Sequence, residues 1–414
     1  MTRANPRPRV PRPSGGRRLP FELGPTLSVA GLVVIALASF ALLGGTIPTI
    51  PGTGGPDNPG GPIRTPTPSN VVVVPTDPRA TIPGSLLYVK DGNIWTQSGN
   101  NARQLTSGGQ DAMPAWAPDG TSIYFIRTKQ ETGRWPSGGV LHTYNLATPS
   151  LLRIKADGSG DPEVLLTGRI KRGSSTWSYF IREPSITPDG ASAAIVTDGP
   201  DPTRSDIVVK LLDLAAGDLT DPKLGESQGL GHQDPAWSPD GKTLLYVRNA
   251  RAGARGTSAI YRYNLATRKS SPLTGPGYTA PAWSRDGRFV AATKTSTFGT
   301  DVVVLDAKTG AEVLRVTLDE SSFSPVWSPR GDAIAFFRVE HGVVDLSLMP
   351  LVGSAPDWTL GEPLALTISA GLDAASRPTW FIPPSQLPPL PTPSPELTPA
   401  PPSAAPGGTG SPSP

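Results

Sequence analysis

The hydrophobic and polar positions in the middle of the chain follow one phrase that returns six times. Each copy starts at a proline, usually followed two residues on by tryptophan, passes a tight turn and runs into an apolar stretch. The copies are PAWAPDGTSIYF from Pro114, PSITPDGASAAI from Pro184, PAWSPDGKTLLY from Pro235, PAWSRDGRFVAA from Pro281, PVWSPRGDAIAF from Pro325 and a truncated PTWFIP from Pro378. Successive prolines stand 70, 51, 46, 44 and 53 residues apart, and a recurrence near this length points to a propeller or a solenoid. Within a copy, Pro-Asp-Gly predicts a turn, because Pro fixes φ and Gly accepts a positive one. The stretch after it, such as TLLYVRN or AIAFFRV, predicts a β-strand. The alternation in Ala259–Thr267 (AIYRYNLAT) predicts a third strand, and Ser270–Gly275 (SSPLTG) a weaker fourth. Four short antiparallel strands per copy make a propeller blade.

The two ends of the repeat complement each other. The segment from Ser85 to Thr106 carries the second, third and fourth strands of a blade without a first, and Arg377–Ile382 is a first strand with nothing after it. Joined, they complete one blade. With five internal copies this gives a six-bladed β-propeller, all-β, whose shared N-/C-terminal blade closes the ring and removes exposed strand edges. The phrase resembles that of TolB-like propellers, relatives of the WD-repeat proteins, over about residues 85–382. Leu151–Gly168 (LLRIKADGSGDPEVLLTG) is similar to that family's third strand, turn and fourth strand. The resemblance implies the fold closely and the function loosely, since the family includes scaffolds, ligand binders and accessory domains of peptidases. No segment before the repeat resembles the N-terminal domain of TolB itself.

The flanks are of another kind. Leu27–Ile47 is 21 residues without a charge, about 31 Å as a helix and enough to cross a bilayer core. Six arginines precede it, which by the positive-inside rule places the N-terminus in the cytoplasm and the body outside. A cleaved signal peptide is the alternative. The expected organisation is a basic cytoplasmic arm (1–24), a transmembrane helix (25–47), a Pro/Gly/Thr-rich linker (48–83), the propeller (84–382) and a disordered Pro/Ser-rich tail (383–414). The tail's Pro-x-x-Pro stretches are candidate docking segments, with a solvated low-complexity tail as the plainer reading.

Composition and charge narrow the chemistry. The 50 Pro and 46 Gly exclude a helical bundle. Zero Cys and three His leave no thiolate site, no Cys nucleophile and no His-rich metal cluster. The net charge of +3 comes from the arm: residues 1–22 hold six Arg against Glu22, which leaves −2 for the rest. The basic pI therefore carries no nucleic-acid footprint on the folded body. Gly225–Gly229 (GESQG) fits a nucleophile elbow, but the next copy begins at Pro235 and leaves no room for the required helix. Gly241-Lys242-Thr243 is the blade turn, and Lys308-Thr309-Gly310 a hairpin turn. Asp119, Asp189, Asp240 and Asp286 occupy one turn position in successive copies, a structural role, with Arg330 in the fifth. Trp116, Trp237, Trp283, Trp327 and Trp380 share one strand position and suit packing between blades.

The copy from Pro114 is some 25 residues longer than its neighbours. Its extra sequence lies in Thr128–Ser150 and Arg169–Arg182, two connections that leave a four-stranded meander at the same face. They offer Arg134, Trp135, His142, Tyr144, Arg169, Lys171, Arg172, Trp177 and Tyr179, and a connection in a later blade adds Arg251 and Arg255. Long connections on a rigid scaffold carry function, and arginine with aromatics is the composition of binding hot spots. The expectation is a membrane-anchored, extracytoplasmic, non-catalytic module that binds an envelope protein, a peptide or an anionic polymer, with no cofactor, metal or nucleic acid. The alternative is a hydrolase or polysaccharide lyase using carboxylates in the central channel.

Overall fold

The structure is a computed structural model. It describes residues 71–73 (backbone only), 82–201, 206–224, 231–249 and 258–390. The basic arm, the apolar span 25–47, most of the linker, Gly225–Gly229 and the tail beyond Leu390 lie outside the described residues. Among the described residues no helix is long and apolar enough to cross a membrane.

The described strands form six antiparallel sheets. Blade 1 takes β2 (Ser85–Lys90), β3 (Asn93–Ser98) and β4 (Asn101–Gln104) from the start of the repeat, and its inner strand from the far end. Blade 2 is β5 (Asp111–Trp116), β6 (Ser122–Ser137), β7 (Val140–Lys155) and β8 (Glu163–Thr167), with β9 (Arg169–Arg172) and β10 (Ser175–Ser178) attached to β6. Blade 3 is β11 (Arg182–Ile186), β12 (Ser192–Thr197), β13 (Val208–Asp213) and β14 (Leu219–Thr220). Blade 4 is β15 (His232–Trp237), β16 (Thr243–Arg248), β17 (Ala259–Asn264) and β18 (Lys269–Pro272). Blade 5 is β19 (Tyr278–Trp283), β20 (Phe289–Thr295), β21 (Thr300–Asp306) and β22 (Glu312–Arg315). Blade 6 is β23 (Ser322–Trp327), β24 (Ala333–Glu340), β25 (Val343–Val352) and β26 (Thr359–Leu360), with β27 (Leu364–Ala365) also on β25. The closing strand β28 (Thr379–Phe381) pairs with β2 through Ser85↔Phe381, Leu86↔Trp380 and Leu87↔Thr379.

Two flanking segments differ from the sequence expectation. Val71–Val73, assigned to the linker, forms strand β1 on the outer edge of β4; consecutive β-branched valines suit such an edge. Pro383–Leu390, assigned to the tail, stays on the propeller. Leu387 packs against the cluster that holds Trp380 and Ile382, and Arg285 Nη1 donates to the carbonyl of Pro388 at 2.6 Å. The apolar leucines between the prolines account for that contact.

Six apolar clusters fill the six gaps between neighbouring blades. The second strand of each blade serves two of them at once. In β16, Leu244 and Tyr246 face blade 3 while Leu245 and Val247 face blade 5. In β12, Ala193 and Ile195 face blade 2 while Ala194 and Val196 face blade 4. A strand buried on both faces has no wet side, so its sequence is a continuous apolar run. Each fully buried Val, Leu, Ile or Phe contributes about 1.5–3 kcal/mol.

The repeat turns are held by their aspartates. Asp119 Oδ1 accepts from the Thr121 N–H at 3.0 Å, Asp189 Oδ1 from the Ala191 N–H at 3.0 Å and the Thr187 hydroxyl at 2.6 Å, and Asp240 Oδ1 from the Ser238 hydroxyl at 2.6 Å. Asp286 Oδ1 accepts from the Ser284 hydroxyl at 2.6 Å. Where Arg330 replaces the aspartate, Ser328 donates instead to Asp332, two residues later, at 2.6 Å. These bonds hold Asp119, Asp189 and Asp240 below the ordinary carboxylate range.

Closure through β28 gives a direct test. Removing 376–414 strips blade 1 of its inner strand and of the Trp380 Nε1–H bond to the Pro83 carbonyl (2.8 Å); removing 391–414 touches no described residue. The first truncation is expected to unfold or aggregate, and the second to keep a melting transition within a few degrees of the full chain. Equal melting of the two would show that the ring is not closed by β28.

His232, the first residue of β15, is 1% exposed and packs edge-on against Tyr246 with ring centroids 4.9 Å apart. Burial, and after it the Arg248 charge, lowers its pKa from 6.5 to about 4. The unfolded chain protonates this ring near 6.5 and the folded chain only near 4, so stability is full above 6.5 and declines as the pH falls to about 4. The loss totals ~3 kcal/mol. Urea midpoints measured from pH 7 to 4.5 should therefore fall less steeply in His232→Gln than in the wild type; parallel curves would count against a neutral, buried ring.

Candidate functional site

The extra sequence of blade 2 is not a pair of loops. β6 and β7 continue past the body of the blade as a two-stranded ribbon paired without a break from Ser122↔Lys155 to Ser137↔Val140. The turn is Gly138-Gly139, both at positive φ (59° and 80°), the backbone a two-residue hairpin with right-handed strands requires. The second connection forms its own hairpin, β9–β10, joined to the ribbon by the pair Thr176↔Arg134.

Register sorts the candidate residues into two faces. Arg134, Thr176 and Lys171 are paired in one row, so their side chains share a face. With Arg169, Thr132 and Glu131 they line an open cleft of about 540 Å³. Arg169 is ion-paired with Glu131; among the described residues Arg134 and Lys171 have no ion-pair partner. The opposite face is aromatic. Trp135 meets Trp177 edge to face at 5.5 Å, and the Arg172 guanidinium lies over the Trp177 ring at 5.8 Å. Tyr144 lies across Gly133, where a Cβ would come within 2.4 Å of the ring, and its hydroxyl donates to the Thr176 carbonyl at 2.9 Å. Toward the tip, Trp135, Val140 and Leu141 are exposed, and His142 Nε2 stands 3.2 Å from the Ser137 carbonyl.

Tyr179 does not join this surface. It is 7% exposed, packs in the cluster between blades 2 and 3, and gives its hydroxyl to the Thr167 carbonyl at 3.0 Å. A tyrosine at the end of such a connection buries its ring and keeps a partner for its hydroxyl. Arg251 and Arg255 lie outside the described residues. Arg248, just before them, sits over the Tyr261 ring at 5.3 Å.

A second set of groups lines the central channel, at the residue before each repeat proline. Met113, Glu183, Asp234, Ala280 and Ser324 all have φ between 49° and 53°. Each marks a bulge in its inner strand, a conformation that costs roughly 1–2 kcal/mol for a residue with a Cβ. The bulge turns the backbone N–H toward the preceding blade. Asp234 N–H donates to Glu183 Oε2 (2.7 Å), Ala280 N–H to Asp234 Oδ2 (2.9 Å) and Met113 N–H to Ser376 Oγ (3.0 Å). Arg377, at the same position of blade 1, crosses the channel to Asp234 Oδ1 at 3.7 Å and to the Pro281 carbonyl at 3.3 Å. Burial, then the Asp234 charge, raises the Glu183 pKa against the pull of Arg182 and Arg377. Motifs read from the proline onward skip this position. Written one residue earlier, the repeat shows Glu183, Asp234 and Arg377 in register.

Below this ring the channel opens at the face of the repeat turns. Its mouth, about 380 Å³, is walled by Trp116, Trp237, Trp283, Trp327 and Trp380 with the repeat prolines, and Arg285 and Arg377 are its charged residues. The indole of Trp283 donates to the Ala236 carbonyl of the preceding blade at 3.1 Å. These rings therefore pack between blades and also surface the mouth. Neither Glu183 nor Asp234 lines it.

No family model matches the chain, and no curated protein matches it. Solved structures do. TolB from Acinetobacter baumannii aligns over 72% of this chain and 66% of its own, with TM-score 0.51 and 20% identity. A TolB-like protein from Agrobacterium tumefaciens aligns over 74% and 96%, with TM-score 0.48 and 19% identity. A nidogen/laminin complex aligns over 71% and 97%, with TM-score 0.50 and 11% identity. The chain thus spans just under two thirds of the length of the Acinetobacter TolB. The likenesses with TM-scores of 0.51 and 0.50 show the fold alone, and the six sheets make it an all-β propeller of six blades. The architecture is TolB-like.

Tyr144 is one of the side-chain ties between the ribbon and the β9–β10 hairpin, beside the Glu131–Arg169 ion pair and the Trp135–Trp177 contact. In Tyr144→Phe the bond to Thr176 is lost, and trypsin should cut at Arg169, Lys171 or Arg172 several times faster while the melting transition stays unchanged. Equal cleavage rates would mean that the remaining contacts and the backbone pairing hold the hairpin without this bond.

Proposed function

We propose that the protein is a non-catalytic binding module, anchored in a membrane by residues 25–47 with its propeller outside the cytoplasm, and that the blade 2 ribbon and its β9–β10 hairpin take an anionic segment of an envelope protein, peptide or polymer. The observation that carries this reading is the two-sided ribbon. One face holds Arg134 and Lys171 beside an open cleft, and the other carries Trp135 and Trp177 in contact. On the aromatic face the Arg172 guanidinium lies over Trp177, and a cation next to a rigid, partly exposed aromatic pair has the usual makings of an interaction hot spot. Phe298 and Leu318, 87% and 77% exposed, stand on connections at the same end of the blades, and apolar exposure of this kind supports a docking face.

The channel carboxylates, which a hydrolase or lyase would need free, accept backbone N–H groups of the next blade instead. That favours binding over catalysis.

Labelled poly-glutamate serves as a stand-in for the anionic partner. Immobilised full chain should retain it at low salt and release it near 0.5 M salt, because exposed charges are screened over about 8 Å at physiological ionic strength. Arg134→Glu with Lys171→Glu should weaken retention about tenfold, from about 0.2–1 kcal/mol per lost contact plus the repulsion introduced. Capture from envelope extract should fall in the same variant and in Trp135→Ala. Retention that ignores both the salt and the double variant would remove the ribbon from the binding surface.

A further inference from the structure

We infer that the channel mouth on the repeat-turn face is a docking site for the chain's own proline-rich C-terminal segment, residues 391–402, which follows directly on the described structure. The proposal is independent of the ribbon, which lies at the opposite end of the blades.

Three observations meet at this mouth. Its wall is partly aromatic: Trp116 and Trp283 are part-exposed there, Trp237, Trp327 and Trp380 stand behind them in the core, and the repeat prolines lie between. Aromatic-lined grooves are how proteins take extended proline-rich segments, whose conformation is largely set before binding and whose ordering cost is small. The nitrogen edge of Trp283 is already bonded to the neighbouring blade, which leaves ring carbon for proline to pack on.

The chain is also delivered there. After β28 it makes one 3₁₀ turn at Pro384–Gln386 and then meets blade 5, where Arg285 donates to the Pro388 carbonyl at 2.6 Å. Arg285 is itself a wall residue of the mouth. Proline has no N–H, so a proline-rich segment presents mainly carbonyl acceptors. A guanidinium holding a proline carbonyl at the rim is the first contact of that kind. The described chain ends two residues later, at Leu390.

The third observation is fit. A space of about 380 Å³ is roughly 9 Å across if taken as a sphere, about three residues of polyproline helix at 3.1 Å each. Residues 391–402, PTPSPELTPAPP, include six prolines and one charge, Glu396. The charged residues of the mouth are two arginines, Arg285 and Arg377; Arg377 is paired with Asp234, which leaves Arg285 at the rim to meet Glu396.

The test uses the full chain, a chain ending at Leu390 and a synthetic peptide of residues 391–402, with tryptophan emission as the readout. The shorter chain loses no described residue. The peptide should change its emission saturably, and should bind the full chain at least tenfold more weakly, because a tethered segment competes at an effective concentration near the millimolar range. Arg285→Glu in the shorter chain should weaken peptide binding severalfold, and so should Glu396→Lys in the peptide. Equal binding to both chains would place the tail elsewhere and overturn the proposal. So would no saturable binding to the shorter chain, or binding indifferent to Arg285→Glu.

Discussion

Every blade of this protein has two apolar faces, and among the described residues no helix covers either. That constraint organises the rest. A sheet such as β15–β18 can bury Leu244 and Tyr246 only against blade 3, and Leu245 and Val247 only against blade 5. An open stack would leave its two end sheets wet, and a ring leaves none. Six wedges of side chains, one per gap, follow from it. So does a closing strand taken from the far end of the chain, which sets the first and last blades against each other around Leu86, Phe337 and Trp380.

The same constraint decides where chemistry can sit. Inner strands approach one another around the channel, and the bulge before each repeat proline spends backbone strain to aim an N–H at the preceding blade. The carboxylates of Glu183 and Asp234 are the acceptors. Groups that would look catalytic in a list of titratable residues are here part of how the blades register. Variation is left to the two ends of the blades, where the extended blade 2 ribbon lies at one and the tryptophan-walled mouth at the other.

The blades were legible because their signals are local and repeated. Pro-Asp-Gly marks the turn, the apolar run marks the doubly buried strand, and the incomplete copies at Ser85 and Arg377 gave the closure. The candidate site was legible by address and not by shape. Length and composition located Arg134, Trp135, Lys171 and Trp177, but the extensions of β6 and β7 over 128–150 and the strands β9 and β10 were read as connections. Register then split the residues into a basic and an aromatic face, which no count of spacing could supply without the partner strand. The Gly138-Gly139 turn was the available signal for the ribbon. Tyr179 was misplaced because burial at the end of a connection depends on the next blade. The channel ring escaped because the repeat was framed from its proline, one residue too late.

The closing pair has a mechanical side. β2 and β28 are antiparallel, and the chain enters and leaves the ring at the same end of that pair, next to Ser85↔Phe381. A pull applied at Ile82 and Ile382 therefore loads the pair as a zipper rather than in shear, meeting one bridge at a time: first Ser85↔Phe381, then Leu86↔Trp380, then Leu87↔Thr379. Resistance at the first step comes from the side chains beside it, Ile82 and Ile382, each 2% exposed, and from the Trp380 indole on Pro83. Under tension the ring opens at its seam while the five blades built from continuous chain stay folded, so blade 1 acts as the mechanical fuse of the molecule.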